Sequence, residues 1–149
     1  VEARGFARDR LWDADQNPVQ RAVRVRSQEG TPVMHLTSYV PAALGRTFTQ
    51  ADLNRIPMFQ LLGRAGAHIC GAEQLVSAVL AEPLVASRLS VKVGAALHDL
   101  RSLMTDQKGR AVEYVEMLAV PEHLKLRFTV HPEALKVPPR PISAPRRKR

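Results

Sequence analysis

The sequence predicts an α+β domain with a mainly antiparallel six-stranded sheet and short helices packed to one side. Two paired apolar runs joined by short turns, at residues 21–40 and 95–119, are typical of antiparallel hairpins. The helical segments fall between these hairpins instead of alternating with single strands, which argues against a parallel sheet. The 149 residues are enough for one domain with a real core.

The first hairpin is predicted from strands at residues 21–27 and 33–40, joined by a turn at 28–30. Gly30 can supply the positive φ that such a turn needs. Thr49 and Asp52 have the spacing of a helix N-cap and an acidic first turn, so a short helix should run to about residue 55. Pro57 suits the first turn of a second helix, which should stop at Gly66.

Residues 68–80 fit a helix by spacing or a long strand by their β-branched content. A helix should follow from Pro83 to Leu89. The second hairpin comprises residues 95–104 and 111–119 around a turn at 106–109. The last strand, 124–130, has the cleanest alternation in the chain, because apolar Leu and Phe alternate with Lys and Arg.

Both ends of the chain are basic. Residues 1–19 are interpreted as an irregular lead-in, residues 20–135 as the domain, and residues 136–149 as a basic, proline-rich, disordered tail. Eight cations at the ends equal the net charge of +8: Arg4, Arg8, Arg10, Arg140, Arg146, Arg147, Lys148 and Arg149. The middle is therefore near neutral, which favours a solvated tail over direct nucleic-acid binding by the ends.

No apolar run approaches the roughly 18–20 residues that span a bilayer, so no membrane partner is expected. The single cysteine, Cys70, indicates the reducing cytoplasm, and its apolar surroundings predict a small buried side chain. The five histidines lack metal-ligand spacing, and no phosphate-binding, zinc or nucleophile motif is present. Glu113 and Glu116 should face opposite sides of their strand, so no catalytic pair, metal or cofactor is predicted.

Arg24 and Arg26 are the chemically informative pair. They lie two residues apart on one strand and therefore point to the same face, where their charges repel each other. One interpretation is a solvated edge strand. The other is an anion-binding floor, because the guanidinium fork matches carboxylate and phosphate geometry.

Several segments together resemble the UTRA domain, the effector-sensing domain of HutC-subfamily GntR transcription regulators. The resemblance covers about residues 20–131 and makes 68–80 largely a strand. The matching segments are Arg24-Val-Arg26 with Glu29-Gly30 and Pro32, Ser38-Tyr-Val-Pro41, Leu61 to Ala78, Ala86 to Arg101, and Asp106 to Tyr114.

This resemblance implies a chorismate-lyase-like fold, a homodimer, and a pocket for a small metabolite between sheet and helices. It also implies an N-terminal winged helix-turn-helix that binds operator DNA, a domain absent from this chain. The lead-in would then be the linker from that domain. Cytoplasmic localisation and a non-enzymatic role follow from the same resemblance.

The resemblance also suggests effector-binding positions. The anion-holding arginines of the family correspond to Arg24 and Arg26, and an acidic position corresponds to Glu113. Three other positions depart from the family: Leu36 replaces an acid, Phe59 replaces a tyrosine, and Ala119 begins the segment that replaces a polar strand end. Pro57 likewise replaces a serine.

These departures retain the anion clamp and replace polar partners by apolar surface. The expected effector is therefore a small anionic metabolite, such as an organic acid or an aromatic carboxylate, with phosphosugars as the less favoured class. The alternative is an enzyme of the chorismate-lyase type, because such an enzyme also needs arginines and a glutamate around an aromatic carboxylate.

Overall fold

The structure is a computed structural model that describes residues 18–131. The strands are β1 (Val19–Gln28), β2 (Thr31–Pro41), β3 (Ile69–Leu80), β4 (Ala96–Asp106) and β5 (Ala111–Ala119). The helices are α1 (Ala42–Gly45), α2 (Gln50–Arg55), α3 (Met58–Arg64) and α4 (Pro83–Leu89). The predicted lead-in up to residue 17 and the tail from residue 132 lie outside the described residues.

The five strands form one sheet in the order β1-β2-β5-β4-β3, and every neighbouring pair is antiparallel. This confirms the α+β class and the two hairpins. Glu29 and Gly30 form the first hairpin turn, with φ of 50° and 80°. Positive φ at both central residues is typical of the type I′ turns that join antiparallel strands. Thr49 and Asp52 form the expected capping box at the start of α2, with reciprocal side-chain to backbone hydrogen bonds.

The central strands are buried on both faces of the sheet. One face, called here the arginine face, carries Arg24 on β1, Ser38 on β2 and Glu113 on β5, by the register of the strand pairs. The core on this face joins Val40 to Leu53 of α2 and also includes the buried residues of α3, Met58, Leu61 and Leu62. Helices α2 and α3 therefore cover one end of the arginine face.

Helix α4 packs on the opposite face. Its buried residues Ala86 and Leu89 belong to a cluster with Leu97 of β4 and Leu118 of β5. The helices are thus divided between the two faces instead of lying on one side, which corrects that part of the prediction. The physical reason is that β4 and β5 carry buried residues on both faces, so both faces need cover.

The predicted sixth strand is absent from the described chain, because residues 124–130 form neither strand nor helix. They follow β5, which already has β2 and β4 on its two edges. A short connection therefore cannot bring this segment next to β5. The alternation of apolar and polar residues is typical of a strand. It does not specify which existing strand has a free edge for pairing.

Cys70 also departs from its prediction, since it is exposed instead of buried. It lies beside a register irregularity at the start of β3, an edge strand of the sheet. No described helix has the length and apolarity of a membrane span, and the longest ones have seven residues.

The Asp106 carboxylate closes the turn between β4 and β5. It accepts hydrogen bonds from the backbone N–H groups of Lys108 and Arg110, both at 2.9 Å, and from Nε and Nη2 of Arg110 at 2.9 and 2.7 Å. Burial alone would raise the pKa of Asp106. The bonds from Arg110 and Lys108 outweigh burial, so the pKa is lowered from its ordinary value.

We predict that Asp106→Asn lowers the free energy of unfolding at neutral pH, because an amide cannot satisfy the same set of donors. The contribution of the carboxylate is present above its unfolded-state pKa and is lost as pH falls through its lower folded-state value. Urea unfolding from pH 2.5 to 7 should therefore show the two proteins converging at acid pH. A pH-independent difference, or a loss equal to that of Lys108→Ala, would contradict this account.

Candidate anion-binding site

Strand β1 presents Arg24 and Arg26 on the arginine face, at the edge of the sheet. A cavity of about 180 Å³ lies beside them, lined by the residues from Val23 to Arg26 and by Leu53 and Asn54 of α2. Helix α2 therefore supplies the wall opposite the arginines. The Thr49 N-cap starts this helix a few residues before Leu53 and Asn54. The structure therefore brings the predicted arginine pair to one cavity.

Arg24 has more donors than it has partners. Its Nη2 donates to Oγ of Ser38 at 3.3 Å. Its Nε and Nη1 are buried, and neither has a hydrogen-bond partner within residues 18–131. Leaving charged donors buried and unpaired costs more than leaving neutral ones unpaired. An anion placed against these N–H groups would remove that cost.

Glu113 is joined to Arg24 through Ser38 and not by direct contact. Ser38 is fully buried and Glu113 is 4% exposed. Nη2 of Arg24 donates to Oγ of Ser38, and the Ser38 hydroxyl is near enough to the Glu113 carboxyl to favour its charged form and so act to lower its pKa. The Ser38 hydroxyl therefore lies between the Arg24 cation and the buried Glu113 carboxyl.

The electrostatics of the two ionisable groups oppose their charged forms. Burial raises the pKa of Glu113, although the hydrogen bond from Ser38 and the charge of Arg24 work in the other direction. Burial, followed by the neighbouring Arg26 cation, lowers the pKa of Arg24, while Glu113 opposes that change. An arginine nevertheless stays protonated at neutral pH, so the cavity keeps a positive floor.

The other three predicted positions do not line the cavity. Leu36 lies directly opposite Arg24 in the hairpin and is nearly buried. Ala119 is fully buried at the end of β5, opposite Met34, which in turn pairs with Arg26. Phe59, on α3, is 59% exposed. Leu36 and Ala119 thus share the arginine face, whereas the described geometry does not bring Phe59 to the arginines.

Sequence reasoning missed Ser38, Leu53 and Asn54. Ser38 could have been found, because an antiparallel hairpin with a two-residue turn places it diagonally across from Arg24 on the same face. Leu53 and Asn54 had no comparable signal. Their place beside β1 depends on how α2 packs against the sheet, which spacing along the chain does not specify.

The family model of the UTRA domain matches residues 2–125. The fold is similar to a GntR-family transcriptional regulator from Enterococcus faecalis V583 (TM-score 0.74, 20% identity, covering 85% of this chain and 91% of that one). It is also similar to a protein assigned as a transcriptional regulator from Streptomyces coelicolor (TM-score 0.72, 29% identity, 81% and 79%). The effector domain of PhnF from Mycobacterium smegmatis is similar as well (TM-score 0.65, 18% identity, 77% and 71%). No curated protein sequence matches the chain.

We predict that Glu113→Gln changes the pH dependence of stability. Because the folded-state pKa of Glu113 is raised, the native protein loses stability as pH rises from the unfolded value of about 4.3 through the folded value. The glutamine side chain cannot ionise, so the variant should lack this loss. Urea unfolding between pH 4 and 8, with the exposed Glu122→Gln as control, measures it. Parallel profiles for wild type and Glu113→Gln would refute the prediction.

Proposed function

The chain belongs to the UTRA domain family, and from that premise we propose that it senses a small anionic metabolite within a HutC-type GntR transcription regulator. The observation that carries the proposal is the Arg24 guanidinium, whose buried Nε and Nη1 lack partners in the described chain. Arg26 adds a second positive charge at the same cavity. An incoming carboxylate or phosphate would meet both groups and supply the missing acceptors.

The surroundings of the arginines favour a small acid with few hydroxyl groups. Leu53 is an apolar member of the cavity lining, and buried Leu36 stands directly across from Arg24. The one uncharged polar side chain in the lining is Asn54. The cavity of about 180 Å³ is smaller than the several hundred Å³ that typically enclose drug-sized ligands. An organic acid or an aromatic carboxylate fits this chemistry better than a phosphosugar.

Regulation requires that the ligand distinguish two states of the whole protein. We propose that binding at β1 and α2 changes how a homodimer of this cytoplasmic domain holds two attached winged helix-turn-helix domains on operator DNA. The β1–α2 cavity suits this role, because it lies between a sheet edge and a six-residue helix.

The proposal assigns binding and no catalysis to the site. A lyase acting on an aromatic carboxylate would need its acidic group within reach of the substrate. Glu113 is buried behind Ser38 and is absent from the lining of the cavity. The matching family and its structural neighbours are regulator domains, which supports the same assignment.

We predict that an anionic ligand stabilises the wild-type protein and that Arg24→Ala/Arg26→Ala abolishes the effect. A thermal-shift panel of organic acids, aromatic carboxylates and phosphosugars, followed by calorimetry on the hits, tests this. Ligand at about a hundred times its dissociation constant adds roughly 2.7 kcal/mol to the free energy of unfolding.

Arg21→Ala is the matched control for charge. Arg21 lies on the same strand, is exposed, and points to the opposite face. Its loss removes one cation without touching the cavity, so binding should remain. Equal weakening by Arg21→Ala and by either cavity arginine would show a general charge effect. Hits restricted to neutral compounds would contradict the anion site.

A further inference from the structure

Glu113 is a buried acid that the proposed anion site does not contact. Its side chain is buried on the arginine face of β5, where Met104 of β4 stands directly opposite. It is absent from the lining of the cavity beside Arg24 and Arg26. A buried carboxylate is stable only where nearby groups compensate for the water it has lost. The ionisation of Glu113 therefore depends on its few neighbours.

The compensation for Glu113 comes from the side of the cavity. The Ser38 hydroxyl and the Arg24 cation both favour the charged form of Glu113, and Nη2 of Arg24 donates to the same Ser38 Oγ at 3.3 Å. The influence is mutual, because Glu113 also favours the charged form of Arg24. An anion in the cavity and an ionised Glu113 would therefore draw on the same positive charge.

The other charged or titratable groups on the elements around Glu113 have other partners or lie farther away. They are Arg26 on β1, Asp52 and Arg55 on α2, Arg64 on α3, His98 and Asp106 on β4, and Arg110 in the turn before β5. Asp52 is held by Thr49, and Asp106 is paired with Arg110. Arg55 and Arg64 are exposed, and His98 lies at the far end of the face, opposite Ala119. Within residues 18–131, Arg24 is the cation whose charge acts on Glu113.

We propose that the site binds its anion together with a proton, which Glu113 takes up. The inference rests on the anion site of the proposed function and specifies how that site is regulated. An anion against Arg24 offsets the charge that supports the ionised Glu113. The carboxylate then accepts a proton from water or buffer, and the O–H bond of the neutral acid is the one bond that forms. By linkage, a neutral Glu113 strengthens anion binding by the same factor.

Proton uptake makes the domain respond to acidity and to the anion together. Where Glu113 is ionised in the empty protein, one proton accompanies each anion. Binding of a monovalent anion then follows the product of the anion and proton concentrations. That product is proportional to the concentration of the undissociated acid. The site is thus suited to report the level of a weak organic acid.

The coupling between Arg24 and Glu113 can be measured without a ligand. Carbon-13 NMR of the glutamate side-chain carboxyls between pH 4 and 9 gives the titration midpoint of Glu113, whose signal is identified by its loss in Glu113→Gln. Arg24→Met removes the charge that a bound anion would offset, so the midpoint should rise by about one pH unit, a tenfold change in proton affinity. Arg21→Met is the control, because Arg21 is exposed on the opposite face. Its midpoint should equal that of the wild type.

The linkage itself is measured by calorimetry with benzoate, whose own carboxyl stays ionised from pH 5.5 to 8. The dissociation constant of the wild type should rise with pH, by about tenfold for each unit by which the anion raises the Glu113 midpoint. Glu113→Gln should bind as tightly at pH 8 as at pH 5.5, because glutamine resembles the neutral acid. The exposed Glu122→Gln should follow the wild type. Repeating the titration in buffers of different ionisation enthalpy counts the protons taken up.

Proton uptake and the anion site fail in different ways. Benzoate binding that needs Arg24 but is equally tight at all pH values supports the anion site and overturns proton uptake. Loss of binding in Glu113→Gln also overturns it, since the acid would then hold the site together. A Glu113 midpoint that is the same in Arg24→Met, or a wild-type Glu113 that stays protonated to pH 9, overturns it without any ligand. Absence of benzoate binding counts against the aromatic carboxylate of the proposed function, and the NMR midpoints then decide the coupling.

Discussion

Burying the Arg24 guanidinium with fewer partners than donors is the constraint on which the site depends. The hairpin register places Arg24 opposite Leu36 and diagonal to Ser38, so neither a carboxylate nor water-exposed space lies directly across from it. Ser38 supplies one acceptor to Arg24, and its hydroxyl also favours the charged form of Glu113. The remaining donors are left beside a cavity whose far wall is α2. In the proposed function, this unpaired charge lowers the stability of the empty protein and provides the binding energy for an anion.

The sheet explains why this site lies at an edge. β4 and β5 are central and carry buried residues on both faces, so α3 and α4 cover opposite sides. Within residues 18–131, β1 and β3 are the outer strands of the sheet. At β1, the short helix α2 stands beside the edge and forms a cavity. At β3, residues 72–78 are exposed.

Much of the fold could be predicted from local chemistry. The Glu29-Gly30 turn, the Thr49 cap and the Asp106 turn each determine a connection through residues close in sequence. The prediction of a sixth strand was wrong, because alternation identifies the two faces of a strand and does not identify its neighbour. The prediction that Cys70 is buried was also wrong. It took no account of the position of β3 at the edge of the sheet, where an apolar run is not covered on both sides.

The candidate site was predictable in part. Two arginines two residues apart on a strand must share a face. The resemblance to the UTRA family predicted Glu113 and Leu36 as further positions of the site. Asn54 and Leu53 could not be found, because their position depends on packing between α2 and β1. Phe59 was expected at the site by analogy with its family position. Its side chain is largely exposed, and it does not line the cavity with the arginines.

The most direct test of the account is the stability of the ligand-free protein after the unpaired charge is removed. The measurement is the free energy of unfolding of Arg24→Met in the Glu113→Gln background. In this background, removing the Arg24 cation does not leave a buried Glu113 carboxylate without a neighbouring positive charge. If Arg24 is retained for a ligand, the double variant should be at least as stable as Glu113→Gln alone, because replacing buried charge by apolar surface is often neutral or stabilising. A loss of about 2 kcal/mol or more would show that Arg24 holds the fold together, and would contradict its assignment as an anion clamp.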